Sequence, residues 1–134
     1  MKKTLLLAGA VALGVIALSI STEARAGAAE GKTTFETMCV TCHGTSGKGD
    51  GPAGAALTPS PADFTSPEFW STRTADDLKT VVTSGGAAVG KSPIMPAWGP
   101  VIGEQGVNDV VAYIEATFKP AADAAPAAPA ASAE

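Results

Sequence analysis

An amphipathic pattern in the middle of the chain predicts a helix that begins after Thr74. Two acidic residues, Asp76 and Asp77, lie in its first turn, where negative charge favours the positive end of the helix dipole. Apolar residues then recur at the i, i+3 and i+4 positions of one helix face, as Leu78, Val81 and Val82. The pair Gly85-Gly86 follows, and glycine commonly ends a helix.

Further helices follow from similar signals. One begins at Thr33, because Thr33-x-x-Glu36 has the spacing of a capping box, and it runs towards Cys42. A short helix begins at Ser66-Pro67-Glu68, where proline takes the first helical position. The longest runs from about Glu104 to Phe118, and its apolar face consists of Val107, Val110, Val111, Ile114 and Phe118. No segment alternates as a strand does, so the predicted fold class is all-α.

Long loops rich in glycine and proline separate these helices, from Gly44 to Asp63 and from Gly85 to Pro100. The part of the chain that can fold, Gly31 to Lys119, is roughly 90 residues, which is a marginal size for a core without a metal, cofactor or disulfide. Loops of this length inside a small domain usually serve a function. We therefore expect them to wrap a group that is not protein.

The first 26 residues have the three regions of a secretory signal peptide. Lys2 and Lys3 precede an uncharged run from Thr4 to Thr22, and a small-x-small site ends at Ala26. Cleavage after Ala26 would place the protein in the periplasm. The alternative is an uncleaved membrane anchor, although the apolar stretch from Leu5 to Ile20 is short for a spanning helix.

Composition and charge narrow the function further. Residues 120–134 are mostly Ala and Pro, which predicts a disordered tail and leaves residues 27–119 as the domain. The 134-residue chain has a net charge of −4, and removal of residues 1–26, with three basic residues and one acidic residue, leaves −6. An acidic chain without a basic footprint excludes nucleic acid as a partner. We expect a monomer that contacts a membrane only if the leader stays attached.

The segment Cys39-Val40-Thr41-Cys42-His43 is the attachment pattern of a c-type haem. Each thiol adds to one vinyl group, and on a helical turn the two sulfurs reach adjacent vinyls of the ring. His43 is then brought under the iron as the proximal ligand. Covalent haem c also supplies a large apolar plate around which the helices can pack.

Other interpretations of the motif fit less well. A disulfide between Cys39 and Cys42 would be strained and would close almost no loop. A thioredoxin-like pair requires a βαβ context, which the chain lacks. A zinc site requires a fourth ligand, and the sequence contains only these two cysteines and one histidine.

Because the sequence has no second histidine, the candidates for the second axial ligand are Met, Lys, water or nothing. Met1 leaves with the leader, and Met38 adjoins Cys39 on the proximal side. Met95 remains, far enough downstream of His43 for the chain to cross the ring. Its surroundings contain two prolines and a tryptophan, in the segment Ser92-Pro93-Ile94-Met95-Pro96-Ala97-Trp98. The alternative role for Met95 is a flexible filler beneath a loop.

From Gly31 to Lys119 the chain resembles class I cytochromes c, especially the short bacterial monohaem type. The resemblance rests on five features in order: Gly31, Phe35 and Cys39 at four-residue steps, the haem motif, Gly51-Pro52, Met95-Pro96, and Val110 with Tyr113. In that family the first helix packs on the last through such an aliphatic and aromatic pair. The resemblance also implies that the Gly51-Pro52 carbonyl accepts a hydrogen bond from the proximal histidine.

The resulting prediction is a small cytochrome c-like helical bundle wrapped around one covalent haem c. With His43 and Met95 filling both axial positions, the chain would be a periplasmic one-electron carrier rather than an enzyme. Its partners would be a redox donor and acceptor such as an oxidase, reductase or dehydrogenase. The alternatives are a haem subunit of an exported or membrane-tethered oxidoreductase complex, and a haem enzyme or gas sensor. Three side chains could bind the haem propionates, namely Trp70, Arg73 and Trp98.

Overall fold

A computed structural model describes residues 27–121, so the predicted signal peptide and residues 122–134 of the predicted tail lie outside the described residues. Within this range the regular structure is helical and no strand occurs, which confirms the predicted all-α fold. None of the helices in residues 27–121 is long and apolar enough to cross a membrane.

Residues 27–121 contain four helices, which we number α1 to α4, and two short 3₁₀ turns. Helix α1 is α-helical over residues 27–34, continues through a π-helical turn at Phe35–Cys39 and ends with the turn Val40–His43. The other three are α2 (Pro67–Ser71), α3 (Ala75–Ser84) and α4 (Gly99–Phe118). The 3₁₀ turns are Gly54–Ala56 and Ala87–Val89.

The predicted start of α1 at Thr33 is wrong, because the chain is already helical at residue 27. Thr33 therefore caps nothing, and its carbonyl accepts a hydrogen bond from Oγ1 of Thr37 at 2.8 Å within the helix. The extra turn brings Gly31 against the backbone of α4, where a Cβ atom would collide with the carbonyl of Asp109. A long-range contact, rather than a local cap, thus requires the longer helix.

The predicted ends of α2 and α3 are confirmed. Ser66 caps α2, whose first residue is proline. At the start of α3 the hydroxyl of Thr74 accepts a hydrogen bond from the backbone N–H of Asp77 at 3.2 Å. The carboxylate of Asp77 in turn accepts one from the backbone N–H of Thr74 at 2.8 Å. This reciprocal pair is a capping box. Gly85 ends α3 in a positive-φ conformation.

Helix α4 has a kink close to the predicted start of the last helix. Gly103 has φ 69° and ψ 174°, so the turn before it is separated from the long helix that follows. Gly106 faces this kink, because a Cβ there would come within 2.9 Å of Ile102 Cβ. Its lack of a side chain lets the two parts of α4 fold closely against each other.

The core lies where α4 packs against both α1 and α3. The buried apolar residues include all five members of the predicted α4 stripe, and the others come from α1, α3 and the loop before α2; together they are Phe35, Phe64, Leu78, Val82, Val107, Val110, Val111, Ile114 and Phe118. Phe35 packs on Tyr113 with ring centroids 5.5 Å apart. The predicted packing of α1 on Val110 and Tyr113 is therefore present.

We expect Gly31→Ala to lower the free energy of unfolding by about 1–3 kcal/mol, the usual range for overpacking, because the new methyl meets rigid backbone of α4. Chemical denaturation followed by circular dichroism measures the change. Gly27→Ala is the matched control, since its methyl would meet only the movable carboxylate of Asp109. Equal stability of the two variants would contradict the close crossing of α1 and α4.

Candidate functional site

The last two turns of α1 present both cysteines and the histidine of the motif. Cys39 and Cys42 are half-buried and carry free thiols. The helix ends directly after His43, since Gly44 has φ 75° and its N–H bonds to the carbonyl of Val40 at 2.8 Å. All three side chains therefore come from one short helical segment, as the sequence predicted.

The loop after the motif folds back onto the backbone of α1. The N–H of Gly49 bonds to the carbonyl of His43 at 2.9 Å, and the N–H of Gly51 bonds to that of Cys42 at 3.2 Å. A side chain at Gly51 would collide with the carbonyls of Val40 and Thr41. The loop thus packs on the main chain of the motif and stabilises the helical turn that carries it.

The expectation that the Gly51-Pro52 carbonyl bonds to the proximal histidine is not met. Nδ1 of His43 is buried, and no residue within 27–121 makes a hydrogen bond to it. The backbone carbonyl of Ala62 faces the imidazole instead. The physical reason is the fold of the loop. Gly51 lies against the helix backbone, and the later segment, from Pro59 onwards, lies beside the imidazole instead.

Burial lowers the pKa of His43 below its usual range, and the facing carbonyl of Ala62 offsets part of that effect. The contact with Ala62 is weak, because Nδ1 has no partner at the distance and angle of a hydrogen bond. The imidazole is therefore neutral at pH 7 and has a lone pair available for a metal. One face of the ring stacks on Phe64, with centroids 4.7 Å apart and planes 16° from parallel.

The thiols do not have the properties of a redox-active or zinc-binding pair. Burial, followed by the neighbouring Cys42, raises the pKa of Cys39 to about 11, whereas reactive redox thiols have lowered pKa values. Among the described residues, no group of three or more His, Cys, Asp and Glu is placed to hold a metal ion. The raised pKa of Cys39 argues against the thioredoxin-like interpretation, which requires a reactive thiolate.

Met95 lies in the loop between α3 and α4, and backbone hydrogen bonds fasten that loop to the end of α3. The N–H of Gly86 bonds to the carbonyl of Met95 at 3.0 Å, and the N–H of Trp98 bonds to that of Val82 at 2.9 Å. Within the loop, the N–H of Lys91 bonds to the carbonyl of Gly86 at 2.8 Å. These bonds, together with the one from the N–H of Met95 to the carbonyl of Ser92 at 3.3 Å, fix the position of Met95 beside the end of α3.

A single cavity of about 750 Å³ brings the predicted site residues together. Its lining includes the four residues singled out in the sequence: Cys39, Cys42, His43 and Met95. Apolar side chains make up much of the remaining wall, among them Phe64, Leu78, Val82, Trp98, Ile102 and Ile114. The volume lies in the range of cofactor pockets, which are mostly apolar with a few convergent polar groups.

The three candidates for binding haem propionates differ in the structure. Nε1 of Trp70 donates to the carbonyl of Phe64 at 2.6 Å, so this indole N–H is already used inside the protein. Arg73 and Trp98 line the cavity, and Lys91 is a further cation in its wall. The structure therefore keeps Arg73 and Trp98 as candidates and removes Trp70.

The residues present fit a covalently attached haem. Two thiols at one wall, an accessible neutral imidazole beside them and a largely apolar cavity are the donor set that a haem c requires. Fold and site together define a small class I-like cytochrome c.

Comparison with known proteins places this chain more narrowly. Residues 26–114 match the family described as Cytochrome C oxidase, cbb3-type, subunit III, and the chain belongs to that family. No curated protein and no solved structure is similar enough to count as a match. Membership implies haem c with iron and electron transfer rather than catalysis by the chain itself.

Sequence reasoning missed Phe64 and Ala62, which both face His43. Phe64 lies in a loop that appeared to be a connection rich in small residues, and nothing in its local spacing relates it to a histidine 21 positions earlier. The available signal was the residue type, because a large aromatic side chain in such a loop has to be buried somewhere.

Replacing Cys39 and Cys42 together by Ser removes both attachment points for the haem. We expect no covalent haem after denaturing electrophoresis and no cooperative melting by circular dichroism. The reason is that a domain of roughly 90 residues has a protein core too small to fold without the group that fills its cavity.

The exposed residue between the cysteines offers a control, and Thr41→Ser is expected to keep both the haem and the cooperative transition. A double serine variant that is helical and melts cooperatively without haem would show that the protein core suffices on its own.

Proposed function

We propose that this chain is an exported, periplasmic carrier of one electron at a time, with a single haem c ligated by His43 and Met95. Haem c, when bound, supplies an iron that alternates between the ferric and ferrous states. The observation that carries the proposal is the convergence of the haem motif and Met95 on one cavity, from segments about fifty residues apart in the sequence. The leader in residues 1–26 supports export.

Each of the four candidate site residues would have its own role in holding the haem. Cys39 and Cys42 hold the cofactor permanently, so it cannot be lost between partners. His43 offers a neutral imidazole, because burial lowers its pKa. Met95 offers a thioether from the opposite segment, and the hydrogen bonds between its loop and α3 keep it in place during oxidation and reduction.

Water exclusion is the second task of the loop between α3 and α4. Trp98 and Ile102 line the cavity on either side of the first turn of α4, and Pro96 adds a rigid apolar group beside Met95. A dry, largely apolar environment disfavours extra charge on the iron and limits the reorganisation that accompanies electron transfer. The same residues would keep small ligands away from the iron.

The rim of the cavity offers a contact surface for redox partners. Ile94 and Met38 line the cavity and are exposed, with 56% and 37% of their surfaces accessible. Arg73 and Lys91 also line the cavity, so charged groups accompany the apolar ones. Partners would dock here and exchange an electron with the edge of the cofactor, without a covalent step.

The family description favours an oxidase as the partner, and this supports a second candidate function. In that alternative the chain is a haem-carrying subunit held permanently in an oxidase complex. Size-exclusion chromatography of the tagged chain, extracted mildly from the cells that produce it, separates the two. Elution at its own mass supports a free carrier, whereas elution with an oxygen-consuming complex supports a subunit.

Met95→Ala provides the sharpest test of the axial ligation. We expect the variant to keep covalent haem through Cys39 and Cys42 but to bind CO when reduced and to gain weak peroxidase activity. Its reduction potential is expected to fall, because thioether ligation favours the ferrous state. Optical spectra with and without CO, together with a potentiometric titration, give these readouts.

Met38→Ala is the matched control, since Met38 is the other methionine that lines the cavity. It is expected to behave like the parent protein in both measurements. A parent that binds CO as readily as Met95→Ala, with the same spectrum, would rule out Met95 as a ligand and favour a haem enzyme or gas sensor.

A further inference from the structure

The side chain of Phe64 packs directly on the imidazole of His43. Its ring stacks on the imidazole with centroids 4.7 Å apart and planes only 16° from parallel. The other aromatic pairs that involve Phe64 have larger interplanar angles or larger separations, at 71° with Phe69 and 6.3 Å with Phe118. The parallel contact with His43 is therefore a specific one.

Several contacts hold Phe64 itself rigidly. Its side chain is buried, with 7% exposed. Its backbone N–H bonds to the carbonyl of Gly47 at 2.8 Å, and its carbonyl accepts the indole N–H of Trp70 at 2.6 Å. Phe118 of α4 and Phe69 of α2 close on the remaining sides of the ring. A ring fixed in this way can hold a neighbour in one orientation.

The usual alternative means of orienting the imidazole is weak at His43. A metal-binding histidine normally donates its second ring N–H to a carboxylate, carbonyl or water, and that bond fixes the plane of the ring. Nδ1 of His43 is buried and has no such partner among residues 27–121, and the facing Ala62 carbonyl does not complete the bond. Packing against Phe64 is the strongest orienting contact that remains.

We propose that Phe64 is a positioning residue, which sets the plane of the His43 imidazole by stacking and closes that side of the site to water. The inference rests on the proposed function, because it assumes that His43 binds the iron. Phe64 acts through His43 and does not itself need to touch the cofactor. Through Phe118 it would also connect the end of α4 to the orientation of the ligand.

The test replaces Phe64 by Leu, which keeps an apolar side chain but removes the ring. Tyr113→Leu is the matched control, because Tyr113 is an aromatic residue of the same core that packs on Phe35 and Phe118 and does not line the cavity. Electron paramagnetic resonance of the ferric proteins reports the orientation of the axial ligand planes. We expect Phe64→Leu to shift and broaden the g values beyond the parent line width, and Tyr113→Leu to leave them unchanged.

A second measurement uses the unaltered protein, so a variant that fails to fold does not leave the question open. In the reduced, diamagnetic state, nuclear Overhauser contacts between the ring protons of Phe64 and those of His43 are expected. Their absence would overturn the inference, as would parent-like g values in Phe64→Leu.

The two proposals fail in different ways. A parent protein without a low-spin, imidazole-ligated ferric signal would refute the proposed function itself. A parent with that signal, combined with an unchanged Phe64→Leu variant, would refute only the positioning role of Phe64.

Discussion

The close crossing of α1 and α4 at Gly31 is the contact on which the rest of the structure depends. Because no side chain separates Gly31 from the Asp109 backbone, Phe35 reaches the core one turn later, against α4. The last turn of α1 then emerges beside the cavity with both cysteines and His43. The other side of α4 packs on α3, from which the Met95 loop begins. Helix α4 thus orients both halves of the site, through its crossing with α1 and its packing on α3.

The two halves of the site are held in place by different kinds of contact. The half that carries Cys39, Cys42 and His43 is local, since one helical segment presents all three residues and the following loop packs on its main chain. The half that carries Met95 depends on distant contacts, because hydrogen bonds to Val82 and Gly86 at the end of α3 determine where the loop lies. A haem held by both halves would join segments whose own protein core is small.

Aromatic residues dominate the side of the site that holds the histidine. Phe64 contacts His43, Phe69 and Phe118, so α2, α4 and the end of α1 meet at a single side chain. Trp70 contributes its indole N–H to the backbone of Phe64 and lies beneath the ammonium of Lys119, 4.7 Å from the ring centroid. Apolar packing therefore takes the place that hydrogen bonds occupy around many metal-binding histidines.

The sequence alone was sufficient for the features that depend on neighbouring residues. Helices α2 and α3 with their caps, the apolar stripe of α4 and the chemistry of the haem motif all follow from spacing within a few turns. The tertiary structure decided the rest, namely the early start of α1, the place of Gly51 against the helix backbone and the stacking of Phe64 on His43. Each of these arises from contacts between segments far apart in the chain, and such contacts leave no periodic signal in the local sequence.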